Sequence, residues 1–195
     1  MDKFFGNLHL VLVVGLVAAI ALIGYSGGFA DHAQILRWLH LFFGITWIGL
    51  LYYFNFVQIP TMPAVPAELK PGVSKYIAPK ALFFFRWGAA FTVLTGLAIA
   101  ATSHNAPEGS SAGYLVAALT LDPAYRLIGI GMWLALIMAF NVWFLIWPAQ
   151  KKALGLVEAD ADTKAKAART AMIFSRTNTL LSLPMLYSMI AANLG

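Results

Sequence analysis

Cysteine does not occur in this chain. Its absence excludes disulfides, iron–sulfur clusters, thiolate catalysis and the C-x-x-C-H attachment of c-type haem, so any haem would be held without thioether bonds. Charge is nearly as scarce, at 11% of 195 residues against 61% hydrophobic, where a soluble domain carries about 25% charge. Such a chain cannot cover a water-facing surface. Carboxylates are missing from every long apolar run, which argues against a carboxylate proton pump or a di-iron carboxylate bundle. No H-E-x-x-H, phosphate-binding Gly-rich loop or Ser-His-Asp set is present, and the commonest membrane hydrolases and ATPases fall with them.

What the chain does have is length of apolar sequence, with a mean hydropathy of +0.77. Five runs, at about 8–25, 34–58, 81–102, 126–147 and 172–193, are each long enough to cross a hydrocarbon core, since a span takes about 20 residues. The expectation is an all-α integral membrane helical bundle of about five transmembrane helices, residues 1–195 forming a single transmembrane domain in contact with the lipid bilayer. The first run follows Lys3 but exceeds a signal-peptide core and has no small-residue cleavage site, so it reads as a retained helix.

The formal net charge is +5, yet the basic residues sit at span ends, where they set topology rather than bind nucleic acid. Lys70, Lys75 and Lys80 follow the second run, and Lys151, Lys152, Lys164, Lys166 and Arg169 follow the fourth, whereas Asp31, Glu108 and Asp122 mark the opposite loops. The positive-inside rule then puts the N-terminus in the cytoplasm and the C-terminus outside. The Ala- and Lys-rich stretch 149–168 reads as a surface helix that extends a span.

A short repeat links the second and fourth runs. Phe54-Asn55 precedes Pro60, Phe140-Asn141 precedes Pro148, and the runs that follow carry Arg86 and Arg176. This suggests a parallel two-helix repeat, spans 2–3 and 4–5. An unpaired arginine in hydrocarbon costs about 3 kcal/mol or more, so both should face the bundle or the cytoplasmic surface, with Asn55, Asn141 and Asn178 at similar depth as hydrogen-bond acceptors.

On a helix, Arg37, His40, Gly44, Trp47, Leu51, Asn55 and Gln58 fall on one stripe, which should face the interior. His40 lies within a strongly apolar span. It is open to three roles: a hydrogen-bonded packing group, a proton relay or an axial haem ligand. Gly44 would leave room for a flat ring beside the backbone, and Arg37 could hold a propionate. His104 is the candidate second axial ligand, Arg126 a second propionate partner, and His32 a loop residue on the same side.

The run Leu36-Arg37-Trp38-Leu39-His40, with Gly44 and Trp47-Ile48-Gly49, resembles the urate oxidase N-terminal family, the membrane region of bacterial membrane-bound urate hydroxylases. So do Asn141-Val142-Trp143-Phe144 with Trp147-Pro148 and Gln150-Lys151-Lys152, and Ser175 to Ser182 with Pro184-Met185. The resemblance covers spans two to five. Family members continue into a cytochrome c domain, whereas this chain stops at Gly195; the expectation is a short form served by a separate cytochrome c or a larger membrane complex. A fainter likeness, His40 in Leu39-His40-Leu41, connects it to the haem b membrane protoporphyrinogen oxidases. Together these likenesses imply a haem b-binding redox or electron-transfer protein of the bacterial inner membrane, with His40 as iron ligand. The alternative is a non-catalytic accessory subunit of a larger membrane complex.

Overall fold

The computed structural model describes residues 2–103 and 113–194. Among them there is no strand. After the short helix Asp2–Phe5 come α1 (Leu8–Tyr25), α2 (His32–Thr61), α3 (Lys70–Thr102), α4 (Tyr114–Leu119), α5 (Arg126–Ala153) and α6 (Ala161–Leu194). Helices α1, α2, α3 and α5 are long and apolar enough to cross a membrane, which fits a membrane protein.

Polar residues set the ends. Asn7 caps α1 by accepting from the Leu10 N–H at 3.2 Å, Asp31 caps α2 through Ala33, and Asp160 caps α6 through the Thr163 N–H at 2.7 Å; each satisfies one of the N–H groups that a helix start leaves open. Gly27 and Gly155 both adopt φ +73°, the left-handed residue that closes a helix. Past them, the Gly28 N–H reaches Ile23 O and the Leu156 N–H reaches Lys151 O. The turn at Gly155 divides the expected continuous surface helix: α5 ends at Ala153 and a new helix starts at Ala161.

The Thr163 N–H and hydroxyl hold the exposed Asp160 carboxylate below its ordinary pKa. A depressed carboxyl contributes stability that is complete above its unfolded pKa and is lost as pH falls through its folded one. Acidification into the carboxylate range is therefore expected to fray the first turn of α6. Amide exchange at Thr163 should rise, and Asp160→Ala should show that faster exchange already at neutral pH.

Three prolines reshape the spans. Immediately before Pro60, Pro79 and Pro148 the chain widens into π-helical turns at Tyr53–Gln58, Val73–Ile77 and Asn141–Ile146. In each, the residue preceding the proline donates five residues back: Ile59 to Phe54, Ala78 to Val73 and Trp147 to Val142. A proline has no N–H to continue the ladder, and its ring crowds the carbonyl four residues earlier. A wider turn relieves both, so these spans stay helical through a proline.

The core is shared by α2, α3, α5 and α6 and contains Trp47, Leu51, Leu82, Phe85, Met138 and Ile146. By contrast, none of the 18 residues of α1 is buried. The expected fifth span, 172–193, lies inside the 34-residue α6, which falls short of the other four in hydropathy. Its polar residues face inward: Ser175, Asn178, Ser182 and Ser188 are buried, while Leu180, Leu183, Tyr187 and Ile190 are exposed. At about 1.5 Å per residue α6 is longer than a bilayer core, so its Lys164–Arg169 end extends beyond the apolar band.

Candidate functional site

The seam between α2 and α3 is built from small residues on α3. Gly88, Thr92 and Gly96 recur every four residues, the spacing that lets two membrane helices approach closely. A Cβ on Gly88 would meet the Trp47 backbone N at 3.2 Å, and one on Gly96 would meet His40 Cε1 at 2.8 Å. The side-chain rows thus interlock: Trp47 over Gly88, Gly44 facing Thr92, whose Cγ2 a Cβ there would meet at 3.8 Å, and His40 over Gly96.

His40 is half-buried there. Its Nδ1 lies 2.9 Å from the backbone carbonyl of Thr92 and 3.2 Å from Thr95 Oγ1. A carbonyl only accepts, so Nδ1 carries the proton and Nε2 keeps its lone pair. Nε2 makes no hydrogen bond among the described residues. Carbonyl-anchored histidines of this kind are how metal-binding imidazoles are oriented.

Of the other expected site residues, Gly44 is half-buried and Trp47 wholly buried with its indole N–H unpartnered. Arg37 and Arg126 are both exposed, and Arg37 lies near Tyr114. The rings of Tyr114 and Tyr125 meet edge-on with centroids 5.0 Å apart, and Arg126 adjoins Tyr125 in sequence. Burial and the neighbouring Tyr125 push the Tyr114 phenol above its ordinary pKa, and Arg37 pulls it back. His104 lies outside the described residues, and His32 is exposed.

A second polar layer lies toward the lysine-bearing end. Asn141 donates to Asn178 Oδ1 at 2.8 Å, Asn178 donates to Met138 O at 2.9 Å, Asn55 donates to Ser175 Oγ at 2.7 Å, and the Tyr52 and Ser182 hydroxyls share a bond of 2.9 Å. The asparagines therefore pair with α6 and with each other, not with the arginines as the repeat suggested. Arg86 is buried with its guanidinium carbon 3.4 Å from the centre of the Trp147 ring, whereas Arg176 is exposed. Trp147 and Tyr52 are half-buried, the one beneath Arg86 and the other bonded to Ser182. Gly88, Thr92, Thr95 and Gly96 drew no attention in the sequence, although the four-residue spacing was visible there.

Among the described residues these features define an all-helical bundle, four of its helices fit to cross a membrane, with a polar layer within an apolar core and an anchored histidine. The urate oxidase N-terminal family model matches residues 110–195, and the resemblance to that family is established for that part of the chain. The match contains Asn141, Trp147, Ser175 and Asn178; His40 and Arg86 precede it. No curated protein and no solved structure matches the chain.

Proposed function

We propose that this protein is a haem b-binding redox protein, related to the membrane part of urate hydroxylases, in which His40 Nε2 would hold the iron. One observation carries the reading: the Thr92 carbonyl lies 2.9 Å from His40 Nδ1 and holds its proton, and Nε2 has no hydrogen-bond partner among the described residues. The donor set fits a b-type haem, since the chain offers an oriented imidazole and no cysteine. When bound, that group supplies a one-electron carrier. The chain's own residues orient it, Thr92 and Thr95 fixing the imidazole plane and Gly96 giving it a flat seat. Arg37 and Arg126 supply positive charge for propionates, and His104 is the second ligand candidate. The lysine clusters favour the cytoplasmic side of a bacterial inner membrane for the Lys70–Lys80 and Lys151–Lys152 end. A separate cytochrome c or a larger membrane complex would exchange electrons with it.

Purified protein from cells with ample haem is expected to show a Soret band. His40→Ala should abolish the band and His9→Ala should leave it, and a colourless wild-type protein overturns the proposal. Gly96→Ala tests the positioning separately. Its Cβ would stand 2.8 Å from the imidazole, so the band should weaken and shift while the histidine remains.

The accessory-subunit reading is favoured by α1, whose 18 residues are all exposed or half-exposed and offer a whole apolar helix to another membrane protein. A stoichiometric partner co-purifying with a colourless chain would select it.

A further inference from the structure

Arg86 carries a charge that nothing described around it balances. The residue is 9% exposed, its Nε and Nη1 have no hydrogen-bond partner among the described residues, and its guanidinium lies over the face of Trp147. Neither α3 nor the apolar part of α2, α5 or α6 contains an acidic residue, so the bundle itself provides no counter-ion. A buried guanidinium without one is among the most costly arrangements a fold can hold.

Three acceptors on α2 and α5 are also left open: Asn55 Oδ1, Gln58 Oε1 and Gln150 Oε1 are buried and unpartnered among the described residues. Their placement follows from the packing. Phe54 and Phe85 meet edge-on at 5.6 Å, which sets Gln58, one turn beyond Phe54, on the lysine-bearing side of Arg86. Gln150 stands one turn beyond Trp147 in the same direction. Side chains on a helix lean toward its N-terminus, and for Arg86 that is also the lysine-bearing end. Open donors and open acceptors on three neighbouring helices that do not bond each other call for a third participant. It must bring negative charge, accept from the guanidinium and still donate a hydrogen to an amide oxygen. Water fails on charge, and chloride fails on the donor.

We propose that Arg86, Trp147, Gln58 and Gln150 form a binding site for a small oxyanion that retains an O–H, as bicarbonate does. The site stands apart from the haem assignment, and its test uses no haem absorbance. Protein in detergent is titrated in mildly alkaline buffer, at constant ionic strength, with sodium bicarbonate, sodium formate or sodium chloride, while thermal unfolding and tryptophan fluorescence are followed. Bicarbonate should raise the unfolding midpoint saturably, formate less, and chloride not at all. Arg86→Gln should abolish the response and, having lost an unbalanced charge, should melt no lower than wild type in the absence of the anion. Arg86→Lys should bind roughly tenfold more weakly, an ammonium lacking the planar fork that stacks on an indole. A bicarbonate response shared by Arg86→Gln, or one matched by chloride, overturns the site. Gln58→Leu and Gln150→Leu give an independent check by removing the amide acceptors. Both should lower the bicarbonate response toward that of formate, and an unchanged response in both also overturns it.

Discussion

Gly129→Ala is expected to lower the stability of the folded bundle by about 3 kcal/mol, the upper part of the range for overpacking a close contact. A Cβ at Gly129 would fall on the backbone carbonyl of Ala118 and within 2.9 Å of Leu121 Cδ2. A flexible side chain could move aside, but a backbone carbonyl can do so only if α4 shifts as a unit. That shift is resisted, since Ala118 is wholly buried and the Trp133 indole N–H donates to Leu119 O at 2.9 Å. Leu121 adds to the constraint with φ +59°, a left-handed conformation that costs a branched residue about 1–2 kcal/mol and fixes the exit of α4. Unfolding in detergent, followed by far-ultraviolet circular dichroism, measures the loss. Gly15→Ala is the control: nothing lies within 4 Å of its Cβ position, so only the gain in helix propensity, at most about 1 kcal/mol, should appear.

Asn178→Leu should destabilise the bundle by about 2 kcal/mol. Asn178 is fully buried, accepts from Asn141 and donates to the Met138 carbonyl. Removing it strands the Asn141 N–H in an apolar interior, and a buried donor left unpaired costs about 1–3 kcal/mol. The lower part of that range applies, because hydrogen bonds between membrane helices are worth about 0.6 kcal/mol on average and under 2 at most; added to this is the strain of a branched side chain in a packed site. Asn141→Leu alone should cost a similar amount. The double substitution should cost less than the sum, since each partner has already lost the other. Additive losses in such a double-mutant cycle would show that the two amides do not act as a pair.

Much of the fold was legible because hydrocarbon imposes one rule on every span. A run of about 20 apolar residues without carboxylates must close its own backbone hydrogen bonds, and helix is the form that does so within one segment. The run boundaries at 8–25 and 34–58 accordingly lie within a few residues of α1 and α2. α6 was harder to read, because its hydropathy mixes an apolar lipid face with a serine and asparagine interior face, and composition alone averages the two. The stripe on α2 was only half informative. Trp47 and Leu51 are fully buried at its centre, yet Arg37 at its outer end is exposed.

The prolines show the same division. The recurrence of Pro60 and Pro148 after Phe-Asn was visible in the sequence, but the wide turns that absorb them were not, since a proline in a span is equally compatible with a kink or a break. The arginines separate the two levels most sharply. Arg86 and Arg176 occupy matching places in a repeat, and only one is buried.

By itself the sequence determined that the chain is helical, where its apolar helices run and which loops hold the positive charge, since these depend on composition along the chain and on backbone hydrogen bonding in a medium without water. Only the tertiary structure decided that His40 rests on Gly96 beneath the Thr92 carbonyl, that Arg86 lies over Trp147, and that Asn178 pairs with Asn141. Such pairings join residues tens of positions apart, and which faces meet depends on shape complementarity among several helices at once.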